Sequence, residues 1–341
     1  MADTDNDILA MDIPNNHHIH HGYESLGIDE MGTWNFNYLP PLELFQQKDV
    51  VKVCAPMVRY SKHVFRRLVR KYDCDLAFTP MIISNSFVKS IKARDNDFTS
   101  SCDDRPLIVQ FAANNVDDFV NATEIVAPFS DGVDLNCGCP QRWAMSEGYG
   151  ACLLKKTDLL CDMIKQAKSR VAKSDFTVSI KIRVHSDIKE TVDLCQKVEK
   201  MGTSFITVHG RTKEQRCQPV DLDAVKIVKD SVSIPVIANG DIRSMDDVHK
   251  VQEYTGVDGV MAARGILANP SMYSGYNETP LQCIKDWLDI SLSLGTPFTC
   301  FHHHLIFMLE HLLPKAERNV FNSLASTSAV LDFLNDNLGV R

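Results

Sequence analysis

A chain of 341 residues with 44% hydrophobic and 23% charged side chains has the composition of a soluble globular protein, which fits neither wholesale disorder nor a membrane class. Its net charge of −8, taken alone, speaks against nucleic-acid partners, which are held by Lys and Arg, although the sign is uneven along the chain. The 11 cysteines include no CxxC pair, which argues for reduced thiols and against a disulfide framework.

No apolar run reaches the roughly 20 residues that span a bilayer, and the start of the chain lacks a basic-then-apolar signal pattern. A cytoplasmic location is therefore expected, with a nuclear fraction left open. Residues 1–38 are acidic and polar, with a His-rich knot at His17, His18, His20 and His21, and read as a disordered tail.

From about Val50 a short β-branched run, a turn and an amphipathic segment repeat. The runs fall at residues 50–54, 75–80, 107–111, 132–136, 177–182, 205–208, 235–238 and 259–262. Helical patterns fill residues 62–72, 116–127, 159–171, 189–201, 222–229 and 245–254. Such alternation predicts βαβ units and a parallel sheet, and eight repeats predict a closed (β/α)8 TIM barrel. Ser244 with Asp247 reads as a capping box, and Gly202 as a helix stop. After residue 274 three helices are expected, at 281–294, 300–313 and 317–338, with His302, His303, His304 and His311 on the surface or facing a partner. The expected organisation is a tail at 1–38, a barrel at 39–273 and an all-helical domain at 274–341.

In a parallel barrel every strand's C-terminal end points to one mouth. Those ends carry Pro56 and Met57, Met81, Gln110, Asn136 leading to Cys139, Lys181 with Arg183, His209 with Arg211, Asn239 with Gly240, and Ala263 with Arg264. Polar groups at so many strand ends point to a site. Cys139, between Gly138 and Pro140, reads as a reactive thiol on a fixed stalk, and Cys137 reads as a packed one. Cys137, Cys139 and Cys152 lack paired zinc-ligand spacing, so no metal is expected. The loops after the seventh and eighth runs, with Gly240, Arg264 and Gly265, read as a phosphate cradle. Gly148-Tyr-Gly150 has no third glycine at dinucleotide-binding spacing and reads as a mobile loop carrying Cys139, Arg142 and Trp143 over the mouth. Residues 59–71 hold six Lys or Arg and no acid, which fits either an approach path for RNA or a solvated helix face.

Seven segments carry a family resemblance: CAPM at 54–57, IVQFAAN at 108–114, DLNCGCPQ at 134–141, SIKIR at 179–183, TVHGRT at 207–212, IPVIANGDI at 234–242 and GVMAARG at 259–265. Together they resemble the tRNA-dihydrouridine synthases over about residues 50–341, and in detail the eukaryotic branch called dihydrouridine synthase 4-like. The resemblance implies an FMN-containing barrel followed by a helical tRNA-binding domain, with NADPH or NADH as reductant and uridines 20a and 20b of the D-loop as targets. It implies Pro56, Met57 and Val58 along the flavin, Gln110 at its ring edge, and Lys181 by N1 and the C2 carbonyl. His209 would lie near ring and phosphate, with Asn239, Gly240, Asp241, Ala263 and Arg264 around the phosphate. Ala263 departs from the glycine common among relatives. Cys139 would be the catalytic acid, and Asn136, Arg142, Arg183 and Arg211 are the candidates for meeting substrate. No membrane and no obligate protein partner are expected.

Reducing a uracil C5=C6 bond requires hydride at C6 and a proton at C5, and a thiol that keeps its proton at pH 7 can supply the latter. The base sits in folded RNA and must leave its stack to reach a barrel mouth. Two alternatives share part of the pattern: an FMN barrel acting on free pyrimidines, and an RNA-binding homologue without activity.

Overall fold

The β-branched runs form eight parallel strands: β1 (Val51–Cys54), β2 (Leu76–Phe78), β3 (Leu107–Ala112), β4 (Gly132–Cys137), β5 (Thr177–Arg183), β6 (Ile206–His209), β7 (Val236–Asn239) and β8 (Gly259–Ala262). Each pairs with the next, and β8 pairs back onto β1 from Gly259–Val51 to Ala262–Cys54, which closes the barrel. The computed structural model describes residues 38–340, together with the backbone of a short antiparallel pairing of Gly27–Ile28 with Trp34–Asn35. Apart from that pairing, the expected tail, with its His-rich knot, lies outside the described residues. The run expected at 75–80 is broken: β2 stops at Phe78, and Ile82–Ile83 resumes pairing with β3. Pro80 lies in the gap and has no N–H for a ladder.

Alternation along the strands gives the barrel two unlike faces. Val109, Val133, Leu135, Val178, Ile180 and Val208 pack outward against the helices. Inside, the half nearer the strand starts is apolar, with Val51, Val53, Leu76, Phe78, Ile108, Phe205, Ile237 and Met261. Helix α1 (Pro41–Gln47) closes that end: Leu44 joins the cluster, and the Phe45 ring lies 5.4 Å from Phe205. Toward the strand ends the buried inward residues turn polar, as Gln110, Asp134, Asn136, Ser179, Thr207 and Asn239.

The outer helices are α2 (His63–Arg70), α3 (Ser84–Lys89), α4 (Ile91–Asp97), α5 (Val116–Val126), α6 (Arg142–Ser146), α7 (Thr157–Arg170), α8 (Ile188–Lys200), α9 (Leu222–Ser231), α10 (Met245–Thr255) and α11 (Arg264–Ala268). Ser244 and Asp247 form the expected capping box at α10, and α8 ends just before Gly202, whose φ is +96°. Helices α3 and α4 were not among the expected ones.

The C-terminal part holds four helices instead of three: α12 (Leu281–Ser293), α13 (Phe298–Met308), α14 (Lys315–Asn322) and α15 (Thr327–Leu338). The helix expected over 317–338 is interrupted because the Ser326 hydroxyl accepts the Ala329 N–H and starts α15 afresh. These helices pack with the barrel into one compact unit from Tyr38 onward. The Tyr72 hydroxyl and the Lys71 ammonium both donate to Asp286 on α12, each at 2.7 Å. His302 and His304, expected at the surface, are buried, while His303 and His311 stay exposed. The His304 ring stacks on Phe65 at 4.5 Å, touches Trp287 at 4.6 Å and sits 3.2 Å from the Tyr60 carbonyl through Nε2. It therefore joins the C-terminal part to α2.

The basic helix α2 is largely structural. Arg66 is 1% exposed and pairs with the fully buried Asp104, which Arg70 also reaches at 3.3 Å. Burial alone would raise the Asp104 pKa, but the two guanidiniums outweigh it and hold the carboxylate below its usual range. Removing Arg66 strands a buried charge. Arg66→Ala is expected to cost about 3–5 kcal/mol in urea unfolding, whereas Arg67→Ala, which loses only a surface pair with Asp103, is expected to cost at most about 1 kcal/mol. Equal effects would contradict a buried ion cluster.

Burial pushes the His304 pKa down to about 3. The folded state then binds fewer protons than the unfolded state below pH 6.5, so stability falls as pH drops through that window. From pH 7 to pH 5 this group is expected to cost about 2 kcal/mol, and His304→Leu to remove that part of the pH dependence. An unchanged pH slope in the variant would contradict a neutral buried imidazole.

Candidate active site

The site begins on β4. Val133, Leu135 and Cys137 point to the helices, while Asp134 and Asn136 point inward. Cys137 is fully buried, and burial pushes its pKa well above the usual thiol range, so it packs and does not react. Past Cys137 the chain turns through Gly138, and the Asn136 side-chain oxygen accepts the N–H groups of Gly138 at 3.2 Å and of Cys139 at 3.0 Å. On the other side the Cys139 carbonyl accepts the Ala151 N–H at 3.0 Å. Gly150 sits at φ +63°, and a Cβ there would lie 2.5 Å from the Cys139 carbonyl oxygen. Cys139 is thus a partly exposed thiol on a segment clamped from both sides.

The stretch after it, expected to be a mobile loop, instead forms α6 and the short 3₁₀ helix Gly150–Lys155. Asn114, after β3, tethers it by donating to the Glu147 carbonyl at 2.7 Å. Arg142 and Trp143 are exposed on α6, Trp143 by 41%.

Below the thiol runs a chain of buried side chains. The Asn136 amide donates to Gln110 Oε1 at 2.9 Å, the Gln110 amide donates to Asp134 Oδ2 at 2.8 Å, and the Ser179 hydroxyl donates to Asp134 Oδ1 at 2.8 Å. Burial pushes the Asp134 pKa up to about 6, with the Gln110 and Ser179 hydrogen bonds and the Lys181 charge pulling against it. Those three groups favour the carboxylate against the burial that disfavours it. Asp134 and Ser179 were not singled out in the sequence, although parity with Asn136 and Lys181 along their strands marks both as inward-facing.

Lys181 donates to Asn239 Oδ1 at 2.8 Å, and the Asn239 amide donates to the Met261 carbonyl at 2.9 Å. Burial lowers the Lys181 pKa to about 8, Asp134 opposing the shift, so the ammonium keeps its charge at pH 7. His209 behaves oppositely: burial first, then Lys181, Arg183, Arg211 and Arg264, push its pKa down to about 2. It is neutral. Arg211 Nη1 approaches His209 Nε2 at 3.2 Å; because a guanidinium can only donate, Nε2 accepts and Nδ1 carries the proton. Beside Lys181 in register, the Thr207 hydroxyl is buried without a protein partner.

The loops after β7 and β8 enclose a small cavity between His209, Asn239, Gly240, Asp241, Arg243, Arg264 and Gly265. Gly240 has φ +129° and Asp241 φ +54°, a turn that Gly and Asp tolerate best. A Cβ on Gly265 would lie 2.1 Å from the Ile242 carbonyl oxygen. Arg264 is largely exposed beside the cavity, 3.4 Å from Asp241. Bare backbone, a helix start at Arg264 and its largely exposed guanidinium together suit a phosphate, and Ala263 stands at that start.

The other candidates fall into place unequally. Pro56 and Met57 are partly buried just past the end of β1, the Met57 N–H held by Ser61 Oγ at 2.9 Å, while Val58 is 52% exposed. Arg211 is buried, bound to Asp241 and to the Gln218 carbonyl, and presents no free cation. Arg183 donates to the carbonyls of Thr212 at 2.8 Å and Gln215 at 3.0 Å, which pins the loop after β6. Asn136 orients the thiol segment. Of the four residues expected to meet substrate, Arg142 is the exposed cation.

Three comparisons bear on this geometry. Residues 53–330 match the family model described as dihydrouridine synthase. The chain is 60% identical over 300 residues to the human tRNA-dihydrouridine(20a/20b) synthase [NAD(P)+]-like protein, covering 88% of this chain and 95% of that one. It is 40% identical over 305 residues to the Schizosaccharomyces pombe tRNA-dihydrouridine(20a/20b) synthase [NAD(P)+], covering 88% and 93%. Among solved structures, histamine dehydrogenase from Rhizobium sp. 4-9 shares the barrel with a TM-score of 0.52 at 12% identity, over 70% of this chain and 49% of that one.

The tight floor of the cavity is open to test. Gly265→Ala is expected to lower stability by about 1–3 kcal/mol through overpacking and to weaken binding of a phosphate-bearing ligand, both read by thermal melts with and without that ligand. An unperturbed melt and unchanged ligand shift would contradict the close contact.

Proposed function

The chain belongs to the dihydrouridine synthase family, and on that premise we propose that it reduces the C5=C6 bond of uridines 20a and 20b in tRNA, with FMN held at the barrel mouth and NADPH or NADH as electron source. The observation that carries this reading is the convergence of one restrained, partly exposed thiol, one half-buried ammonium and one phosphate-sized cradle at the same end of the barrel.

The donor set fits a flavin phosphate and ring. Gly240, Gly265 and Arg264 would hold the phosphate; Gln110, Lys181, the neutral His209 and the Pro56–Met57 stretch would border the ring. When bound, FMN supplies the two-electron chemistry, and the protein supplies orientation and charge. Lys181 offers a fixed positive charge to an electron-rich ring, which a neutral side chain would not. His209, held neutral, adds hydrogen bonding without a second cation.

On the substrate side, saturating C5=C6 adds hydride at C6 and a proton at C5. Cys139 carries that proton at Sγ and gives it up to C5, its sulfur then regaining a proton from solvent. The clamp from Asn136 and Ala151 keeps the thiol at one height above the mouth, so little orientational freedom is lost as the base arrives. A uridine turned out of its stack meets an aromatic and cationic rim: Trp143, Arg142, Lys155 and Lys156 are all exposed around the thiol segment. Such a rim favours a polyanion and should make binding salt-sensitive.

The experiment is nucleoside mass spectrometry of tRNA treated with purified protein, FMN and NADPH. Wild type is expected to form dihydrouridine, and Cys139→Ala to retain flavin by its visible absorbance while losing about 10²-fold or more in rate. Full activity in that variant would remove Cys139 from the role of acid.

A further inference from the structure

The hydrogen-bond chain under the thiol has only one possible direction. Peptide N–H groups can only donate, so the groups of Gly138 and Cys139 oblige Asn136 to turn its oxygen toward them. Its amide nitrogen, which also only donates, then faces Gln110, and Gln110 must answer with its oxygen. That leaves the Gln110 nitrogen pointing at Asp134. The chain therefore has to end in a group that accepts there, and Asp134 is that group, at 0% exposure. The Ser179 hydroxyl fills its other oxygen.

We propose that Asp134 is a positioning residue for the reaction: as the terminal acceptor it fixes the orientation of the Gln110 and Asn136 amides, and through Asn136 it holds the Cys139 backbone and thiol in place. Without that acceptor the Gln110 amide nitrogen is left buried without a partner on that side, and turning the amide over gives no relief, because its nitrogen would then face the Asn136 nitrogen. Gln110 can regain a partner only by shifting away from Asn136, which loosens the Asn136 side chain and its hold on the Gly138 and Cys139 N–H groups. A change at Asp134, on the strand that leads into the thiol segment, thus reaches it through Gln110 on the neighbouring strand. The same shift moves the Gln110 atoms beside the ring site, so both halves of the mouth depend on one buried carboxylate. The catalytic part of this inference rests on the proposed function; the structural part does not.

Two substitutions separate the roles. Asp134→Leu removes the acceptor. Asp134→Asn keeps an oxygen for Gln110 and offers its amide to the Ser179 oxygen, whose hydroxyl proton can turn to the Val133 carbonyl, 3.4 Å away. Hydrogen exchange at the Gly138 and Cys139 amides, followed by mass spectrometry in the protein without tRNA, reads the clamp directly. Exchange is expected to speed up by about tenfold or more in Asp134→Leu and to return close to wild type in Asp134→Asn. In the tRNA assay, Asp134→Leu is expected to lower kcat by about 10–100-fold with KM for tRNA within about twofold, and Asp134→Asn to recover most of that loss. If Asp134→Leu does not fold, Asp134→Ala, with the same missing acceptor and less bulk, takes its place. Slow exchange and wild-type kcat in a folded Leu or Ala variant would overturn the proposal, as would a parallel rise in KM, which would mark a general loosening of the mouth. Absence of dihydrouridine from the wild type would instead refute the proposed function and leave the exchange result to judge the positioning.

Discussion

One side-chain oxygen organises the mouth of this barrel. Asn136 Oδ1 gathers the N–H groups of two successive residues, Gly138 and Cys139, where the chain leaves β4. In that turn the strand has ended and the next helix has not begun, so the two donors are met by a side chain instead of a ladder or helix carbonyl. The arrangement converts a strand end into a rigid stalk with a thiol at its tip. Gly150 makes the reverse side equally tight, because any side chain there would meet the Cys139 carbonyl. The thiol is therefore placed by backbone geometry, and the proposed function follows from what stands opposite it.

What stands opposite is a deliberate imbalance of charge. Burial works against the charge on both Lys181 and Asp134, and each favours the other's ionisation across the barrel interior. His209 lies among four cations and stays neutral. Asp241 stands between Arg211 and Arg264 and balances part of that cluster. The proposed electron-rich ring and phosphate would both find positive charge here. A barrel serves this purpose because side chains more than a hundred residues apart, such as Gln110 and Asn239, reach one interior from rigid strands.

Much of this was legible in the sequence, and for reasons of periodicity. The eight runs, the capping box at Ser244 and the set of strand-end residues all follow from alternation and local chemistry. Parity puts Cys137 on the face of Val133 and Leu135, and only the end of the strand at Cys137 separates it from Cys139, which has the same parity. The opposite parity, shared with Asn136, marks Asp134, which drew no notice because an acid inside a motif reads as part of the motif. What could not be read depends on distant partners. Arg66 looked like a surface cation until Asp104, 38 residues on, took it into the interior. His304 looked like a surface histidine because its burial comes from Phe65 and Trp287, on two other helices. The break between α14 and α15 hangs on a single serine cap in a stretch whose apolar spacing runs on past it.

The most direct test of the central claim is the distance from Cys139 Sγ to C5 of the target uridine in a structure of the flavin-loaded protein with tRNA. A thiol that delivers the proton should lie about 3.5 Å from C5, on the face of the base away from the flavin, with Asn136 still holding the Gly138 and Cys139 N–H groups. A base seated beside another proton donor, with Cys139 out of reach and its stalk unchanged, would contradict the account.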